Sequence, residues 1–288
     1  MSSTIGALKR HVVKNVMIAM APVLLITGSP LTAADYSAGE EALIWLQTKM
    51  HEREYRKNMR KGVVLDAVLS RVKADPEIWT NENPTHPERL AQFTLNLRNA
   101  PKSDTIAFGD SLLDLTRKRL NAVHPGLNFS TSGSWAHHMA RMAADVRPAL
   151  KRAGIYGSIK YVIVGSLGGN PLLMRQPVDV TIAHSLEALD AIRRLYPAAR
   201  IIVFGIPPTV SMYVNLNAPA FEAALYRWVL ADRDAVMLPL QRQFAGMLGL
   251  FPKAIMSVDG VHFSRQGTVT FDQLLEKGKR ARSKAIVD

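Results

Sequence analysis

The chain has no cysteine among its 288 residues. That single absence excludes disulfides, thiolate metal sites and cysteine nucleophiles. Acidic residues are also scarce: 24 Asp and Glu stand against 36 Lys and Arg, a formal charge of +12 with a pI near 10.0. Such a balance favours anionic neighbours, either a membrane surface or an acidic polymer. The basic residues are scattered and not interleaved with aromatics, and no nucleic-acid motif accompanies them, so nucleic acid is not an expected partner. No internal repeat is evident. Apolar residues make up 48% of the chain, enough for a full core and too many for global disorder.

Long apolar runs are missing as well. The main candidate, "VMIAMAPVLLITG" at 16–28, is short for a membrane span. Lys9, Arg10 and Lys14 precede it, and "SPLTAAD" follows with Thr32 and Ala34 placed as a cleavage site requires. The pattern predicts a secretory signal over 1–34 and an exported protein, periplasmic or extracellular; an uncleaved anchor or a buried N-terminal helix are the alternatives.

Residues 36–72 show apolar positions at three- and four-residue steps between charged runs, which predicts helix. The basic run 53–61 reads as a solvated face of it. Three prolines interrupt "ADPEIWTNENPTHPERL", and a short helix fits 87–98. Residues 35–100 are therefore expected to form a helical extension ahead of a main domain, 101–288.

From 103 the texture becomes strand and helix in alternation. "DTIAFGD", "LNFSTSG", "IKYVIVGSLGG" and "ARIIVFGIPP" read as strands, the third near-continuously apolar as a buried parallel strand should be. Helices are expected over 134–154, 181–197, roughly 219–232, and after "SVDGVHF". The alternation predicts an α/β protein with a parallel sheet covered on both faces. Reactive groups in such folds collect after the carboxyl ends of the strands.

The chemistry-bearing residues stand at those ends. Ser111 follows the first strand in "FGDSLLDL", where it reads either as a nucleophile or as an ordinary residue of a helix start. Asp259 and His262 are spaced so that a turn can set the carboxylate beside the ring, which is what a proton-accepting imidazole requires. Gly133 stands at a strand-to-helix junction, where its backbone N–H can approach a substrate. Asn170 ends the most apolar strand in "GSLGGNP" and offers an amide donor. Taken singly, Gly133 and Asn170 are also ordinary turn residues.

Asp110 and Asp114 beside the serine read as capping and dipole chemistry. His137 and His138 form a pair with no third ligand spaced to join it, so they read as pocket or surface and no metal is expected. Trp135 either lines a sugar-binding face or packs. The tail "KGKRARSK" at 277–284 reads as a solvated basic end.

Gly-Asp-Ser-Leu at 109–112, Gly133, Gly168-Gly169-Asn170 and Asp259-Gly260-Val261-His262 occur in one order. This resembles the SGNH/GDSL hydrolase family over about 104–275. The resemblance implies a three-layer, flavodoxin-like α/β/α fold and a serine ester hydrolase that needs no cofactor. It implies Ser111 as nucleophile, His262 as general base, Asp259 as its orienter, and an oxyanion hole from Ser111, Gly133 and Asn170. Pro171 replaces the usual Asp of the third block and is expected to push Asn170 toward extended geometry.

Trp135, His137 and Pro171 are the expected substrate-lining residues. The expected substrate is an ester, either an acetylated glycan or a lipid-derived one. The glycan is favoured because no broad apolar run marks an acyl-chain tunnel. The rival readings are a lipase or lysophospholipase, an O-acetyltransferase, and a catalytically idle domain that binds glycan or a protein partner.

Overall fold

The computed structural model describes residues 83, 85–97, 103–245, 255–257 and 259–287. The expected signal segment and the helix over 36–72 lie outside these residues. Five parallel strands form one sheet in the order β2-β1-β3-β4-β5: β1 Thr105–Gly109, β2 Asn128–Ser130, β3 Tyr161–Gly165, β4 Arg200–Phe204 and β5 Ala235–Leu238. The sequence reading finds four of them and misses β5. "AVML" is too short to show a period, and as an edge strand it lacks the β-branched density of β3 and β4.

The helices are α1 His86–Asn96, α2 Ser111–Thr116, α3 Ala136–Arg152, α4 Gly169–Leu173, α5 Val178–Leu195, α6 Met212–Ala231, α7 Leu240–Phe244 and α8 Arg265–Arg280. Both sheet faces are covered because successive strand residues point to opposite sides. Ile106, Phe108, Val162, Val164, Ile201 and Val203 join one core with α3, α5 and α6. Ala107, Ile163, Ile202, Phe204, Val236 and Leu238 join the other with α2, α7 and α8. This is a three-layer α/β/α fold.

The chain leaves β1 outward to β2, then returns to the other side of β1 as β3. At such a reversal the loops after the two central strands diverge and leave a crevice at their carboxyl ends. The segments 110–111 and 166–170 flank it. The last part of the expected N-terminal extension packs on the same domain: Phe93 of α1 meets Phe129 of β2 edge-on, ring centroids 4.1 Å apart.

One half-buried acid in this frame has a strongly raised pKa. Glu222 of α6 turns its carboxyl onto Gly205, so closely that a Cβ there would lie 2.1 Å from Oε1. Burial pushes it up to about 8, against the opposing effect of the Gln241 N–H it accepts at 3.2 Å. The folded pKa lies above the ordinary 4.5, so this group's contribution to stability is complete below pH 4.5 and is lost as pH rises through about 8. Urea midpoints of Glu222→Gln measured against pH should lack that part of the parent's decline.

Candidate active site

β1 and β3 end side by side, and the site begins there. A Cβ on Gly109 would lie 2.4 Å from the Gly165 carbonyl oxygen, so only glycine permits this approach. Asp110 follows in extended conformation and caps α2, its Oδ1 accepting the Leu112 N–H at 3.0 Å. Its carboxyl is 3% exposed, and burial pushes it up to about 6 against the opposing Leu112 N–H, the His262 charge and the Ser166 N–H. The capping reading holds for Asp110. Ser111 is the first residue of the helix itself.

Ser111 and His262 are 151 residues apart in sequence, yet Ser111 Oγ and His262 Nε2 stand 2.8 Å apart. His262 Nδ1 meets Asp259 Oδ2 at 2.8 Å on the other side of the ring. Asp259 Oδ1 accepts the N–H groups of Val261 and His262, each at 2.9 Å, and the Ser257 hydroxyl. Burial by itself would raise the Asp259 carboxyl. The His262 hydrogen bond and charge, the His262 N–H and Ser257 outweigh it and hold the group well below the usual carboxylate range. The imidazole therefore has an ionised carboxylate on one nitrogen and a hydroxyl on the other, the arrangement needed to move a proton from that hydroxyl.

Gly133 takes φ +80 in a tight turn closed by the Ser134 N–H to the Thr131 carbonyl at 3.1 Å. Three distant parts of the chain clamp its two neighbours. Asp114 Oδ2, one turn along α2 from Ser111, accepts the Ser132 N–H at 3.1 Å and the Ser132 hydroxyl at 2.8 Å. Asn83 donates its side-chain amide to the Ser132 carbonyl at 3.2 Å and to Ser134 Oγ at 3.1 Å. Asn170 donates to the Ser134 carbonyl at 2.9 Å. Asn170 thus adjoins the Gly133 turn, tied to it by a bond that uses one of the two amide protons of Asn170.

Asn83 and Asp114 are the site residues that sequence reasoning missed or undervalued. Asp114 was read as dipole chemistry, and its spacing from Ser111 was the available signal. Locally Asn83 only accepts the Thr85 N–H and hydroxyl in a turn before α1; its partners at the site lie 49 and 51 residues away.

The expectation for Asn170 is corrected. It is helical, the second residue of α4, with Pro171 following inside the same first turn. First-turn N–H groups have no partner within the helix, so the missing N–H of proline is no loss there. The helix closes around it through the Leu172 N–H to the Gly168 carbonyl at 3.1 Å. Pro171 is buried in α4.

Trp135 is 7% exposed and half-buried His137 lies edge-on to it, ring centroids 6.1 Å apart. His138 accepts the Trp135 N–H on Nδ1 at 3.0 Å. Burial, and then the charges of His137, His86 and Arg141, push His138 down to about 3, so its ring stays neutral. Among the described residues no group of three or more His, Asp or Glu is disposed to hold a metal ion.

No family model matches the chain, and no curated protein matches it. Solved structures do. A GDSL-like lipase from Bacteroides thetaiotaomicron superposes with a TM-score of 0.51 at 10% identity, over 66% of this chain and 97% of that one. A candidate acylhydrolase from Bacteroides fragilis gives 0.51 at 13%, over 69% and 98%. A candidate platelet activating factor protein from Streptococcus pneumonia gives 0.52 at 16%, over 68% and 91%. The fold is that of the SGNH/GDSL hydrolases. Within the SGNH/GDSL fold the segments around Ser111, Gly133, Asn170 and His262 all meet at one edge of the sheet.

The clamp on the Gly133 turn is testable without any substrate. Asp114→Ala removes a charged acceptor, worth about 1.5–3 kcal/mol. Hydrogen exchange should show the Ser132 amide opening at least about tenfold faster in this variant. Asn83→Ala should loosen the same turn and leave the sheet amides protected.

Proposed function

We propose that this protein is an exported serine ester hydrolase that works through an acyl-enzyme. One observation carries the reading: the continuous chain of 2.8 Å contacts from Ser111 Oγ through the His262 ring to Asp259. The names of the fold neighbours, a lipase and a candidate acylhydrolase, point the same way for ester chemistry in general.

Ser111 Oγ attacks the ester carbonyl carbon while His262 Nε2 takes the hydroxyl proton. Asp259, ionised throughout, holds the ring in the tautomer that accepts at Nε2 and stabilises the imidazolium that forms. The N–H groups of Ser111 and Gly133 and the remaining amide proton of Asn170 receive the developing oxyanion. Collapse breaks the bond to the alcohol, which leaves with the proton from His262. Water, deprotonated by the same ring, then attacks the acyl-serine and releases the acid and free Ser111.

The clamp from Asp114, Asn83 and Asn170 has a function in this scheme. It fixes the Gly133 N–H relative to α2, so the donor is placed before charge develops. The substrate class we favour is an O-acetylated glycan of the cell envelope. Export puts the enzyme where such glycans are, and no broad apolar run marks an acyl-chain tunnel.

Hydrolysis of short acyl p-nitrophenyl esters tests the reading. Ser111→Ala and His262→Ala should each lose at least about 10³-fold in kcat, and Ser111→Ala should no longer be labelled by a fluorophosphonate. Equal activity of Ser111→Ala and parent would overturn the assignment. Asn170→Ala should lose about 10²–10³-fold in kcat. Asp259 stays charged far into acid, so Asp259→Asn should lower the rate by about 10⁴-fold across the profile and not merely shift its acid limb.

A further inference from the structure

In a parallel α/β fold every helix that returns to the sheet ends at the edge opposite the strands' carboxyl ends. In this chain that edge gathers positive charge. α3 finishes with Lys151 and Arg152, and α5 with Arg193 and Arg194. One basic residue per helix end is what the helix dipole favours. Arg233, Arg282 and Lys284 lie beyond helix ends and have no such explanation.

Three acids at this edge already hold a cation, and Asp104, just before β1, accepts the Thr105 hydroxyl at 2.9 Å. Asp232 receives both Nε and Nη2 of Arg193, at 2.8 and 2.6 Å, and Asp234 receives Nε of Arg200 at 2.8 Å. Glu276 receives Lys279 at 3.0 Å. Lys151, Arg152, Arg194, Arg233, Arg282 and Lys284 remain exposed, with no acidic partner among the described residues.

These six are contiguous. The Lys151 ammonium lies 5.4 Å from the centroid of the Tyr156 ring, and the Tyr156 hydroxyl donates to the Leu195 carbonyl beside Arg194. Arg193 then donates to the Asp234 carbonyl at 3.0 Å, joining α5 to the loop that carries Arg233. The Ser283 hydroxyl donates to the Arg233 carbonyl at 3.2 Å, and the Lys284 N–H to that of Ala235 at 2.7 Å, bringing in the tail. Two large apolar side chains stand out among the cations: Leu230, 44% exposed, three residues before Arg233, and Ile286, 41% exposed, two after Lys284.

We propose that this edge docks on an anionic lipid surface, with the Ser111 edge facing away from it. Cations at the surface are drawn to acidic headgroups, and isolated apolar tips among them can enter the headgroup–acyl boundary. A fully hydrated polyanion has no place for those tips. The orientation presents the site to material outside the bilayer. The proposal does not rest on the hydrolase reading.

Co-sedimentation of the full chain with phosphatidylcholine vesicles, with and without phosphatidylglycerol, tests it. The apolar stretch 16–28 would act alike on both vesicle types, and Lys9, Arg10, Lys14 and the basic run 53–61 are the same in every variant, so the difference between the parent and a variant of the six isolates this face. Binding should be at least about tenfold tighter with phosphatidylglycerol, and high salt should abolish the difference. Replacing all six cations by Gln should cut the preference severalfold while hydrolysis of a soluble ester stays at the parent level. Leu230→Ser with Ile286→Ser should weaken binding and retain the preference. An unchanged preference in the six-Gln chain would overturn the proposal. So would equally tight, salt-sensitive binding of the parent to an acidic polysaccharide. Loss of ester hydrolysis in Ser111→Ala with vesicle binding intact would separate the two readings.

Discussion

Everything at the site depends on how closely β1 and β3 end. The two strands pair in register up to Gly109 and Gly165, and Gly109 leaves no side chain between them. Because the chain turns outward after β1 and comes back on its other side, the loops that follow part over this junction. Asp110 follows directly, its buried carboxyl accepting the Leu112 N–H at 3.0 Å and so capping α2. Ser111 emerges one residue later, on the first turn of a short helix whose Leu112 and Leu113 are fixed in the core.

A second constraint acts on the neighbouring loop. A turn with a glycine at φ +80 has little rigidity of its own, yet the residues on either side of Gly133 are held by Asp114, Asn83 and Asn170. One of these groups belongs to the helix of Ser111, another to the start of α4, and Asn83 to the segment before α1. That segment belongs to the expected helical extension, 35–100. Its Asn83 is buried against the turn, and its Arg89 reaches the Ser130 carbonyl at 3.3 Å and Asp114 at 3.6 Å. The Gly133 turn and the helix of Ser111 therefore share supports.

The two edges of the sheet are chemically unlike. One carries the depressed Asp259 and the raised Asp110, both shifts arising from burial and local hydrogen bonds. The other carries exposed cations on adjoining segments, while Asp232, Asp234 and Glu276 are already paired. A net charge of +12 says nothing about this segregation. The topology produces it, because parallel strands send every returning helix end to the same side.

Strand-helix alternation and the apolar runs of β1, β3 and β4 made the α/β class legible, since burial on both faces demands those runs. The order of Gly-Asp-Ser, Gly, Gly-Gly-Asn and Asp-x-x-His made the main site residues legible, since each chemistry-bearing group stands directly after an apolar segment. β5 was not, because four apolar residues carry no period. The geometry of Asn170 was misread, because a proline that disfavours helix before it can still sit in a first turn that asks for no N–H. By itself, then, the sequence determined the fold class and singled out Ser111, Asp259 and His262 as candidates. Tertiary structure alone decided that Ser111 and His262 stand 2.8 Å apart across 151 residues, that Asn83 holds the Gly133 turn, and that the basic residues form one face. Those are contacts between segments distant in the chain, and no local pattern of residues encodes a distant partner.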